Sequence, residues 1–132
     1  MTTLNSIDLL KSKLMTMAEL AQSAVQRAID SAVNRDSGLA ASAREHDKEI
    51  DDLEMEIDEI AIQLLASTGS AAEVRLLTVC MKISRNLERV GDEATTISRR
   101  AFDLNQDPLL EPSVNISAAN AQTTLIFKSR SR

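Results

Sequence analysis

Residues 76–104 read LLTVCMKISRNLERVGDEATTISRRAFDL. Within this stretch Leu76, Cys80, Ile83, Leu87, Val90, Ala94, Ile97, Ala101 and Leu104 recur at alternating spacings of four and three. An apolar row with that period is one face of a long helix packed nearly parallel to its neighbours. The segment Asn86-Leu87-Glu88-Arg89-Val90-Gly91-Asp92 lies at its centre. Glu88 and Asp92 are four residues apart there, which stacks them on one helix face.

Working back toward the N-terminus, two more rows of the same kind appear. Ile7, Leu10, Leu14, Met17, Ala21, Ala24 and Ala28 predict a helix over about 4–34. Leu39, Ala43, His46, Ile50, Leu53, Ile57, Ile60 and Leu64 predict a second, running to about residue 66. Asn34-Arg35-Asp36-Ser37-Gly38 separates the two, with Asp36 or Ser37 placed to cap the second helix. Ser67-Thr68-Gly69-Ser70 makes the next break, and Ser70-Ala71-Ala72-Glu73 has the form of a capping box. Short links between helices of similar length imply an all-α, antiparallel three-helix bundle over residues 4–104. After Leu104 the period is lost. Asn105-Gln106-Asp107-Pro108 reads as a helix exit, and residues 105–132 as an irregular tail.

Composition agrees. The chain has 132 residues, enough for one domain with a modest core. It has no Trp or Tyr and only two Phe, so the core is built from Leu, Ile, Val, Met and Ala, which suits helices. Both prolines, Pro108 and Pro112, fall late. The net charge of −5 is uneven, because all 20 acids precede residue 113 while Lys128, Arg130 and Arg132 follow it. An acidic body argues against nucleic acid and fits cations or basic partner surfaces. The single Cys80 excludes an internal disulfide and suits a reducing compartment. No apolar run approaches the ~20 residues of a transmembrane helix. The polar residues Thr2, Thr3, Asn5, Ser6 and Asp8 break any signal-peptide pattern, so a cytoplasmic location is expected.

The second helix carries nine acids between Glu45 and Glu59, with Lys48 the sole base among them. Asp47, Asp51, Glu54 and Asp58 form one stripe along the border of its apolar row. Like charges at this spacing repel by a few tenths of a kcal/mol per pair. Such a run alone is usually a solvated face. Here, however, Asp47/Asp51 and Glu88/Asp92 have the same spacing and both border apolar rows, so they can meet across an antiparallel pair. Oxygen-only ligands suit Mg, Ca or Mn, and iron also. The lone His46 reads more readily as a core residue than as a ligand. Position 43 is Ala, so the Glu-x-x-His motif of di-iron oxidases is absent. Cys80 lies on an apolar row with no base near it in sequence, and no Gly-rich phosphate loop is present.

Several blocks, in order, resemble one repeat of the PhoU family of phosphate-transport regulatory proteins. They are Leu14-Met15-Thr16-Met17-Ala18-Glu19-Leu20-Ala21, Asp47-Lys48-Glu49-Ile50-Asp51-Asp52-Leu53, Leu64-Leu65-Ala66, Ala72-Glu73-Val74-Arg75 and Leu87-Glu88-Arg89-Val90-Gly91-Asp92. The resemblance implies three-helix bundles, two per chain, and no catalysis. It implies multinuclear metal clusters (iron, manganese, magnesium or zinc) held by Glu/Asp-x-x-x-Asp motifs, which here match Asp47 with Asp51 and Glu88 with Asp92. It also implies restraint of phosphate uptake through the ATPase of a phosphate ABC transporter and a membrane sensor kinase, from a position at most peripheral to the membrane. The sequence departs from the family in showing no second repeat, which reads either as a truncated or frame-shifted member or as a half-length form that pairs with itself; we expect a homodimer that mimics the two-repeat molecule. The competing reading is a structural, self-associating bundle without ligand.

Overall fold

The computed structural model describes residues 3–107. The expected irregular tail therefore falls, from residue 108 onward, outside the described residues. Four helices follow in order: α1 (Thr3–Val33), α2 (Ser37–Ala41), α3 (Ala43–Ser67) and α4 (Ala71–Gln106). No strand occurs among the described residues. The long helices α1, α3 and α4 each pack on the other two, which makes the expected three-helix bundle.

The second helix expected from the sequence is split in two. At Ser42 the backbone turns, and its hydroxyl donates to the Leu39 carbonyl at 2.8 Å. A serine that bonds back to its own turn competes with helix continuation. Asp36 is the N-cap of α2, accepting from the Leu39 N–H at 3.0 Å.

The core joins Leu10, Met17 and Ala21 of α1, Ile50, Ile57, Ala61 and Leu64 of α3, and Leu77 and Cys80 of α4. Each fully buried Leu or Ile contributes roughly 1.5–3 kcal/mol. On α1 and α3 the buried residues follow the rows read from the sequence, except that Ser31 and Ala61 are buried off the rows and Ile60 is only half-buried. On α4 they do not. Cys80, Ala94 and Ala101 are buried as expected, but the other inward positions are held by Leu77, Ser84, Gly91, Thr95 and Ser98. The apolar residues one step earlier, Ile83, Val90 and Ile97, are exposed, as is Leu104. One residue is a rotation of ~100°. The cause is space. Where α4 lies against α1 and α3 together, small side chains let the three backbones come close, and the bulkier aliphatics turn outward.

Both ends of the bundle are tied by specific hydrogen bonds. Arg35 takes a left-handed φ of 53° after α1, where the Asp36 N–H reaches back to the Ser31 carbonyl at 3.1 Å. Its guanidinium donates to the carbonyls of Asn105 (3.2 Å) and Asp107 (2.8 Å), closing the C-terminus of α4. Asn105 in turn donates to the Ser31 carbonyl at 3.3 Å. At the other end, Ser70 caps α4 by accepting from the Glu73 N–H at 3.3 Å. The reciprocal arm of the capping box is relayed: the Ser70 N–H donates to the Thr68 hydroxyl, which donates to the Glu73 carboxylate.

Candidate metal centre

The site is built on the crossing of α3 and α4 at Gly91. A Cβ placed there would lie 2.9 Å from Cδ1 of Ile50 and 3.8 Å from Oδ1 of Asp47. The missing side chain is what lets the two helices approach. Asp47 and Asp51 flank Ile50 on α3, and Glu88 and Asp92 flank Gly91 on α4, so the close approach brings all four carboxylates to one seam.

They fall into two overlapping groups. Asp47, Asp51 and Asp92 each offer an oxygen within 4.8 Å of the others'. Asp51, Glu54 and Glu88 do the same, so Asp51 is shared. The four residues expected from spacing and resemblance are thus brought together. Glu54 completes the second group and is absent from the expected set, although its place in the acidic stripe signalled it. His46 belongs to neither group. It lines a small void with Ala24, Arg27, Ala94, Thr95 and Ser98.

The electrostatics are those of crowded anions. The Glu88 carboxyl is pushed from an ordinary 4.5 up to about 7, first by its hydrogen bond with Asp92, then by burial, then by the Asp92 charge. Asp47 is raised by burial and by the charges of Asp51 and Asp92. Burial also raises Asp51 and Glu54, with Asp92 adding to the first and Asp58 to the second, while Arg85 pulls Glu54 the other way. Oδ1 of Asp47 is buried without a hydrogen-bond partner. The nearby Thr95 hydroxyl donates to the Gly91 carbonyl at 3.0 Å. A buried carboxylate oxygen left unpaired is costly, and a divalent cation relieves both that and the mutual repulsion. The donor set is all oxygen, which fits a hard cation.

Cys80 is buried, and burial raises its thiol, so it is packed as a small apolar residue. Among the described residues no helix is long and apolar enough to cross a membrane.

Three long helices, a shared carboxylate seam and a glycine at the crossing define an all-α bundle with a helix-borne acidic centre. The profile of the PhoU domain matches residues 14–101, and the chain belongs to the PhoU family. It is 40% identical over 98 residues to the phosphate-specific transport system accessory protein PhoU homolog of Pseudomonas putida, covering 74% of this chain and 38% of that protein. It is 33% identical over 108 residues to phosphate-specific transport system accessory protein PhoU of Escherichia coli, covering 79% and 45%. The crystal structure of PhoU from Pseudomonas aeruginosa superposes with a TM-score of 0.83 at 31% identity, covering 91% of this chain and 57% of that one. The chain spans less than half the length of these two curated relatives. The family is one of transport accessory proteins, not of enzymes.

Proposed function

We propose that this chain is a cytoplasmic, metal-binding adaptor that regulates phosphate uptake and phosphate-starvation signalling. It restrains a phosphate ABC transporter by contacting its ATPase, and the phosphate sensor kinase beside it. Asp47, Asp51, Glu88 and Asp92, with Glu54, would hold a cluster of divalent or trivalent cations that fixes the α3–α4 crossing and the surface around it. The chain works as a homodimer.

The observation that carries the reading is the convergence of carboxylates from two helices around an unpaired, buried Asp47 oxygen. A structural bundle without ligand is the competing account, and the exposed apolar side chains of α4 favour self-association under either. A pure assembly device would set Lys or Arg against the α3 acids. Lys13 does pair with Glu56 at 2.6 Å, but Asp47 and Asp51 meet Glu88 and Asp92 instead.

The regulatory role is tested in a bacterium lacking its own PhoU. Expression of the chain should lower a phosphate-starvation reporter in phosphate-rich medium, and the Asp51→Asn chain should not. A reporter unmoved by the wild-type chain at matched expression contradicts the role.

A further inference from the structure

Val79, Ile83, Val90, Ile97 and Leu104 of α4 are between 37% and 61% exposed, and Leu76 is half-buried beside them. Five of these six, Leu76, Ile83, Val90, Ile97 and Leu104, recur every seven residues, so they form one stripe along the helix. Its length is about 42 Å at 1.5 Å per residue. Scattered exposed aliphatics are ordinary on a monomer, but a continuous stripe along an entire helix marks an interaction face. The stripe has Val90 at its midpoint, with Ile83 and Ile97 equidistant on either side, and Leu76 and Leu104 beyond them.

The geometry points to α4 as the face on which two copies of this chain pair, antiparallel, about a two-fold axis at Val90. This rests on the reading that the chain self-associates, and it names the surface. In an isologous contact each residue meets its mirror position. Val90 then meets Val90, Ile83 meets Ile97, and Leu76 meets Leu104. On the flank of the stripe the same axis sets Arg89 of one copy across from Glu93 of the other, twice. Lys82 and Arg100, of like charge, fall near each other toward the ends, where both are exposed and screened. A strip ~42 Å by ~10 Å has a footprint of about 400 Å² per copy, about 800 Å² in total, and the flanking side chains bring it toward the ~1,000 Å² of a specific but weak pair. The acidic seam, at the α3 edge of α4, stays open in such a dimer.

The test uses the full chain. Light scattering from ~1 to 200 μM, a span in which a weak pair dissociates and reforms, should show mass rising toward twice the 14.4 kDa of the chain. Val90→Cys, at the axis, should form a disulfide-linked dimer under mild oxidation, whereas Met55→Cys, exposed on α3, should link far more slowly. Ile83→Glu with Ile97→Glu should leave a helical monomer, as read by circular dichroism. A wild-type chain that stays monomeric throughout overturns both self-association and this surface. A wild-type dimer in which Val90→Cys links no faster than Met55→Cys, or in which the double Glu chain stays dimeric, overturns the surface alone.

Discussion

Gly91 and Ile50 touch where α4 crosses α3: a methyl group on the glycine would lie 2.9 Å from the Ile50 Cδ1. Gly91→Ala should gain about 1 kcal/mol of helix propensity and lose about 1–3 kcal/mol to overpacking, a net change between nothing and a loss of about 2 kcal/mol. Ile50→Val removes the offending Cδ1 and alone costs about 0.5–1.5 kcal/mol. The double variant should recover about 1 kcal/mol relative to the sum, as read by urea denaturation. Strict additivity would mean that the helices are not held together at this point.

The crowded carboxylates make stability depend on pH. Glu88 moves from 4.5 to about 7 in the folded chain, and Asp47, Asp51 and Glu54 move the same way. The folded state therefore holds more protons than the unfolded one between those values. The stability these groups contribute is fully present below the unfolded pKa and is lost as pH rises through the window to about 7. In chelator, the urea midpoint should drop steadily over that range. Saturating manganese should flatten the drop, because a cation favours the charged carboxylates.

Arg35 links the ends of α1 and α4 through the carbonyls of Asn105 and Asp107. Arg35→Ala should destabilise the chain by about 1–2 kcal/mol, since hydrogen bonds from a charged donor are among the stronger ones. Amide exchange should accelerate first in the last turn of α4. Faster exchange in the first turn of α4 instead would contradict the assignment.

Glu54 and Asp58 lie on the same acidic stripe, yet only Glu54 lies within reach of Asp51 and Glu88. Glu54→Gln should lower the number of manganese ions bound per chain, and Asp58→Asn should leave it unchanged. Equal effects would reduce the stripe to a diffuse counter-ion attractor.

The bundle was legible because α1 and α3 bury most of what their heptads say they bury, and because Asp36 and Ser70 sit where caps belong. The face of α4 was misread for a physical reason. Periodicity weighs size and hydrophobicity, so Ile83, Val90 and Ile97 outvote Ser84, Gly91 and Ser98. The inner face of α4 is instead chosen by how close its neighbours come, which a single chain's pattern does not record. The acid pairs were legible by spacing, and Glu54 was marked by its place in the stripe, but not as their partner: it meets Asp51 and Glu88 only at the helix crossing. Asp36 was one of two possible caps, and the break at Ser42 had no signal beyond the serine itself.

The central claim is that the α3–α4 carboxylates bind metal as a unit, and Asp51, common to both groups, is where it is most exposed to test. Isothermal titration of the chelator-stripped chain with manganese at pH 7, repeated in two buffers of different ionisation heat, measures binding and proton release together. The account predicts saturable binding with release of protons from the cluster, abolished by Asp51→Asn while far-UV circular dichroism is retained. Titration heats that never saturate in the wild type, or binding that persists unchanged in Asp51→Asn, would contradict it.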